Sequence, residues 1–193
     1  MDKIIITTGD PNGIGAEITV KALKKLDLPS CDILLVSNRK VLDFYGNPDK
    51  DYEICEIPFD EEVQPGKVTK AAGEFCFQSL KKACELKGRA IVTAPVAKNA
   101  LHLAGHNFNG QTEILQEFLA HDGQLAEMLF VAENFRVLLL TRHCALKDVT
   151  LTKELVIEKI MNLQKFFAEK LGITKPKFAL CGLNPHAGEG GIL

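Results

Sequence analysis

The chain has 193 residues, with 23 Lys and Arg against 25 Asp and Glu, a formal net charge of -2 and six cysteines. That length accommodates one large or two small domains with real cores. Near-balanced charge argues against a basic nucleic-acid-binding face, and no apolar run approaches the roughly 18 residues that suggest a membrane span.

The N-terminus passes straight from Met1-Asp2-Lys3 into the apolar run Ile4-Ile5-Ile6, without a signal-peptide layout. Next comes Thr7-Thr8-Gly9-Asp10-Pro11-Asn12-Gly13-Ile14-Gly15, whose glycines and proline force a tight turn between a strand and a helix. Such a turn leaves the first N–H groups of the helix unpaired and favours an anion there. A tight connection with no ligand accounts for the glycines equally well. The pattern is neither G-x-G-x-x-G nor a P-loop.

Residues 16–26 are expected to be a helix, with Ile18, Ala22, Leu23 and Leu26 on one face. Residues 33–36 read as a buried strand, followed by a short helix capped by Asn38 and ending at Gly46. Residues 52–57 read as an edge strand and 58–66 as an acidic loop. A helix is expected over 69–87, stopped by Gly88, then a strand over 90–94 that ends at Pro95. Residues 99–110, rich in small residues, Gly and His, are the expected domain crossing, with the boundary at 105. Beyond it come a helix over 112–120 and a hairpin of 128–132 with 135–141 around Glu133-Asn134. A long helix capped by Thr152 ends at Gly172, and a buried strand is expected over 178–181. The alternation implies an α/β fold, a largely parallel sheet with helices on both faces and right-handed crossovers. A Gly-rich loop follows the last strand and the chain stops at Leu193, so it is expected to be part of a longer protein. Cys31, Cys55, Cys76, Cys84, Cys144 and Cys181 show no CxxC spacing and read as reduced core thiols of a cytoplasmic protein.

Several strand-end loops carry chemistry-bearing residues. His143 and His186 follow strands, where ligands collect in open α/β sheets, and imidazole is the commonest metal ligand. Each would serve as well bonding backbone in its loop, and two histidines are fewer than a catalytic zinc-type site uses. Lys98, in a loop after the strand over 90–94, is expected either to pair with a phosphate or carboxylate or to be solvated. Thr112 is either an N-cap or an anion-binding hydroxyl.

Four motifs occur in order: Gly9-Asp10-Pro11-Asn12-Gly13-Ile14-Gly15, Thr93-Ala94-Pro95-Val96-Ala97-Lys98, Gly110-Gln111-Thr112-Glu113, and Leu183-Asn184-Pro185-His186-Ala187-Gly188-Glu189-Gly190-Gly191. Together they closely resemble the 4-hydroxythreonine-4-phosphate dehydrogenase family of pyridoxal phosphate biosynthesis. The resemblance implies an isocitrate/isopropylmalate dehydrogenase-like fold, with two domains (1–105, and 106–193 as part of the second) flanking a cleft completed across a homodimer interface. It implies NAD(P)-dependent oxidation of a small phosphorylated amino-acid substrate, then decarboxylation, with a divalent metal (Zn, Mg or Co).

On that resemblance His143 and His186 are two of three metal histidines, the third lying beyond residue 193. Thr112 and Gln111 fall at substrate-binding positions, and Asp10 and Lys98 are expected to be catalytic, with Asn12 near the ligand. The opening turn then reads as a rigid piece of cleft wall rather than a nucleotide cradle. Gln111 departs from the family, which usually has His before the Thr. Glutamine still donates a hydrogen bond but does not titrate. Relatives that act on other phosphorylated four-carbon hydroxy acids share most of these motifs. A catalytically inactive piece that binds anions or self-associates is the reading from a different class.

Overall fold

The structure is a computed structural model that describes residues 3–27, 29–120, 126–142 and 144–192. The chain divides into two compact units, Met1–Ala126 and Glu127–Leu193.

The first unit is built on four parallel strands, β1 (Ile4–Thr7), β2 (Ile33–Ser37), β3 (Glu53–Glu56) and β4 (Ala90–Thr93), in the order β3-β2-β1-β4. Parallel neighbours need long crossovers. These are supplied by α1 (Gly15–Lys25), α2 (Arg39–Phe44) and α3 (Lys70–Glu85).

Side-chain alternation along the strands sorts the core into two layers. Ile33 and Leu35 pack with Val20 and Leu23 of α1, while Ile5 and Val36 pack with Phe75 and Ala83 of α3. Strand β2 is buried along its whole length, as a strand covered on both faces must be. The expected Asn38 cap is present, its side chain accepting from Lys40 N, and Thr69, read as the first residue of its helix, is in fact the cap, accepting from Ala72 N.

The segment 99–110, expected as a crossing, contains a helix instead, α4 (Lys98–Leu103), and α5 (Gln111–Leu119) follows. Leu101 and Ile114 pack with Cys76 and Leu80 of α3, so α4 and α5 stand in the first unit, which runs on past the boundary expected at 105. The helix escaped the sequence reading because its six residues are too short for a periodic stripe.

In the second unit β5 (Leu129–Ala132) and β6 (Phe135–Leu138) form the expected antiparallel hairpin, with Glu133 at φ +49° in the turn. Helix α6 (Lys153–Leu171) starts at the Thr152 cap and ends on Gly172 in the left-handed conformation. Residues 178–181 form no strand. Phe178 stacks on Phe167 of α6, but Leu180 is exposed, and a strand needs a paired neighbour that this segment lacks among the described residues. The six cysteines are free, yet only Cys76 and Cys84 are buried core thiols; Cys31, Cys144 and Cys181 are exposed. Among the described residues no helix is long and apolar enough to cross a membrane.

Candidate active site

The strand order reverses between β1 and β4: the chain winds β1-β2-β3 to one side, then crosses back to place β4 on the other side of β1. The loops leaving two strands at such a switch point diverge and leave a crevice outside their carboxyl ends, where ligands bind in open α/β sheets. Loop 8–14 leaves β1 there, and loop 94–97 leaves β4.

The two loops are in direct contact. Asp10 N donates to Pro95 O at 3.0 Å. Gly9 has φ +69°, and a Cβ there would stand 2.2 Å from Pro95 O; on Gly15 it would meet Thr8 O at 2.3 Å. Close backbone approach requires glycine at both positions, and at Gly9 the positive φ requires it as well.

Asp10 is 5 % exposed. Its Oδ1 accepts the Asn12 N–H at 2.8 Å, closing the turn on itself. Burial pushes its carboxyl above the usual value, and the N–H groups of Asn12 and Gly13 offset only part of that.

Asn12, expected near a ligand, has its side-chain amide and backbone carbonyl bonded within the fold. Its amide donates to Thr69 Oγ1 at 3.4 Å and accepts from Gln64 N at 2.8 Å, while its carbonyl accepts from Gly66 N at 2.7 Å. Tyr45 Oη donates to Pro11 O and Gly13 O from below the turn. The opening stretch is thus tied by hydrogen bonds to residues 64–69, to Pro95 and to Tyr45.

Lys98 is not in a loop; it is the first residue of α4, exposed, and its ammonium has no partner among the described residues. Its Cε lies 4.0 Å from where a Cβ on Gly110 would be, so Lys98 stands beside the start of α5. Gln111 opens that helix and turns its amide inward, Nε2 donating to Ala94 O at 3.1 Å, while its Oε1 is buried without a partner. Thr112 follows, half-buried, its hydroxyl making no hydrogen bond among the described residues. No side chain caps α5. The structure therefore gathers Asp10, Lys98, Gln111 and Thr112 around the carboxyl ends of β1 and β4. Their shared chemistry is a buried carboxyl, a free cation, a free hydroxyl and uncapped helix N–H groups, a set suited to an anionic substrate that exchanges a proton.

His186 belongs to the second unit, in a loop where Ala187, Gly188, Glu189 and Gly190 all have positive φ. Asn184 Oδ1 accepts the His186 N–H at 2.9 Å, and His186 Nδ1 lies 2.5 Å from Glu189 Oε1. A carboxylate behind one imidazole nitrogen leaves Nε2 free and is the arrangement that orients a metal-ligating histidine, so the donor chemistry at His186 fits a metal. Among the described residues no three His, Cys, Asp or Glu side chains gather as a metal set. His143, expected as the companion ligand, lies outside the described residues.

One residue beside this site carried no sequence expectation. His106, in the connection between α4 and α5, bonds Glu74 and stacks on Phe77 of α3. A single His in a Gly-rich loop gives no periodic or motif signal.

The model of the family described as pyridoxal phosphate biosynthetic protein PdxA matches residues 3–193. The chain belongs to the PdxA family. It is similar to the 4-hydroxythreonine-4-phosphate dehydrogenase of Synechococcus sp. (strain RCC307), 39 % identical over 217 aligned positions that take in 100 % of this chain and 64 % of the relative. That alignment is longer than the chain, so the relative carries extra residues inside the matched span. The D-threonate 4-phosphate dehydrogenase of Salmonella typhimurium (strain LT2) is 33 % identical, with 98 % of this chain and 65 % of the relative covered. Among solved structures, the 4-hydroxythreonine-4-phosphate dehydrogenase of Klebsiella pneumoniae matches with a TM-score of 0.82 and 29 % identity, over 100 % of this chain and 67 % of that one. This PdxA-family chain thus spans about two thirds of the length of the relatives it matches, with the parallel α/β architecture they share.

Proposed function

We propose that the protein is an NAD(P)- and divalent-metal-dependent dehydrogenase of 4-phosphohydroxy-L-threonine in pyridoxal 5'-phosphate biosynthesis. The reading rests on the family match along residues 3–193, and is supported by the cluster of Asp10, Lys98, Gln111 and Thr112 at the β1/β4 switch point. The substrate's secondary alcohol is oxidised to a ketone: its hydroxyl proton goes to a base, and a bound nicotinamide would accept the hydride from the carbinol carbon. The β-keto acid so formed loses CO2 to leave 3-amino-2-oxopropyl phosphate.

In this scheme the uncapped N–H groups of α5 and the Thr112 hydroxyl hold an anionic group of the substrate. Lys98 pairs with its phosphate or carboxylate as a mobile point charge. Asp10 carries the proton on its carboxyl: a raised pKa makes the ionised form a stronger base than an ordinary aspartate. Gln111 holds the start of α5 against β4 and keeps an acceptor, Oε1, for a donor on the substrate. His143 and His186 are the proposed metal ligands; a divalent cation there would lower the pKa of the substrate alcohol and stabilise negative charge on its oxygen. A second α/β domain, expected over 106–193 and here represented by the unit Glu127–Leu193, and a homodimer that completes the active site belong to the same proposal, as does a cytoplasmic location.

A second reading is a sister activity on phosphorylated D-threonate, which carries a hydroxyl where the first substrate carries an amine. It is favoured by the similarity to the Salmonella relative and by Gln111. The test is steady-state turnover of the intact protein on both substrates, with and without a chelator, alongside His186→Ala and Gln111→His. Expected are metal-dependent turnover of the amino substrate, loss of about 100-fold or more in His186→Ala, as for a residue essential to the site, and a changed substrate ratio in Gln111→His. Undiminished turnover in His186→Ala would overturn the metal assignment; preference for the threonate would establish the sister activity.

A further inference from the structure

We propose that His106 is a positioning residue that sets the register of the substrate-binding start of α5. The inference rests on reading Thr112 as substrate-binding. His106 sits midway along the connection from α4 to α5, after Gly105 at φ +92°. Its ring lies flat on Phe77, centroids 3.6 Å apart and planes 12° from parallel. Its Nε2 is 2.8 Å from Glu74 Oε2, and the other Glu74 oxygen accepts from Gln78 Nε2 at 2.7 Å. Glu74, Phe77 and Gln78 are spaced i, i+3 and i+4, so they share one face of α3. The Glu74 carboxyl is held below its usual value, first by the Gln78 amide and then by His106.

The backbone is anchored at the same place. His106 N donates to Leu101 O at 2.9 Å, Phe108 N donates to His106 O at 3.0 Å, and Phe108 stacks over Phe77 at 6.0 Å. His102 Nε2 adds a contact to Phe108 O at 3.2 Å. Two residues past Phe108 the chain reaches Gly110 and enters α5. The start of that helix is therefore held from two directions: Gln111 ties it to Ala94 at the end of β4, and His106 ties it to α3. Thr112, whose hydroxyl makes no hydrogen bond among the described residues, takes its place from these two anchors.

The ring stack and the hydrogen bond do different things. Stacked rings tolerate in-plane sliding at little cost, whereas a hydrogen bond is directional and weakens steeply on misalignment. The Phe77 contact keeps the loop on the protein; the Glu74 bond decides where along α3 it sits. A loop that keeps the stack and loses the bond remains folded but lets Thr112 drift, and small displacements of a binding group are costly.

The experiment uses the intact protein, with KM and kcat for the phosphorylated substrate, KM for the dinucleotide, and the thermal midpoint. His106→Phe retains the stack and removes the bond. It is expected to raise the substrate KM about tenfold while kcat, the dinucleotide KM and the midpoint stay near wild type. His106→Gln, whose amide reaches Glu74, is expected to restore most of the substrate KM. Thr112→Ala is measured in parallel. If Thr112→Ala raises the substrate KM and His106→Phe leaves it unchanged, or alters only the midpoint, the positioning role is overturned and the site reading stands. If Thr112→Ala leaves the KM unchanged, the site reading falls and this inference with it.

Discussion

Asp10 is a buried side chain whose ionised form is unfavourable for stability. Its folded-state pKa is raised by burial, so the folded protein binds the Asp10 proton more tightly than the unfolded chain does. The sign follows: stability from this group is greatest below its unfolded value near 3.8, falls as pH rises through the folded pKa, and stays reduced above it. Asp10→Asn keeps an oxygen for the Asn12 N–H and has no proton to lose. Chemical denaturation from about pH 3 to about pH 8 is expected to show the Asp10→Asn variant equal to wild type at the acid end and more stable at the neutral end. If Asp10 is the proton carrier, the same variant loses turnover, the signature of a residue kept for chemistry rather than stability. A variant less stable at neutral pH than wild type would show that the carboxylate supports the turn.

At the scale of elements, α4 is what the site depends on, and its seat is a glycine. A Cβ on Gly73 in α3 would lie 1.9 Å from Ala100 O and 2.9 Å from Leu101 N, which is backbone and not a side chain that can swing away. Gly73→Ala must separate α3 from α4, which carries Lys98, and disturb the neighbouring packing of Leu101 and Ile114. The expected cost is about 3 kcal/mol, at the upper end for overpacking, read as a drop in the denaturation midpoint, with a rise in substrate KM at temperatures where the protein remains folded. Ala is normally the better helix former by about 1 kcal/mol, so a stabilised Gly73→Ala would mean that the two helices do not pack this closely.

For the whole molecule, the second unit presents much of its apolar surface. On the hairpin Phe130, Val131 and Phe135 are 55 %, 60 % and 70 % exposed, and Ile157 and Met161 of α6 are exposed as well. Phe130 and Val131 are adjacent, so they point to opposite faces of the hairpin, and both faces are open. Apolar side chains exposed on both faces suit coverage by another chain or a further segment of this one, and the proposed homodimer would supply the first. Sedimentation velocity of the intact protein is expected to give a dimer at micromolar concentration, with Val131→Asp shifted toward monomer; a monomer for wild type would overturn it.

The α/β class, the parallel sheet, every strand of the first unit, the Asn38 and Thr152 caps and the Glu133-Asn134 hairpin were legible in the sequence. Each depends on local periodicity or on a cap adjacent to its helix, and such signals survive without knowledge of the fold. The four motifs carried the family in the same way. Tertiary structure alone decided three things. Strand order put β4 beside β1, and only that places Asp10 and Lys98 at one crevice from positions far apart in the chain. Long-range hydrogen bonds turned Asn12 and the Gln111 amide into the protein, a choice that composition cannot express because either residue can also face a ligand. His106 acquired its partners from the opposite side of a turn, through a carboxylate and a ring on α3. Local sequence reports what a segment can do alone; which groups meet, and which are already used, is settled by packing between segments.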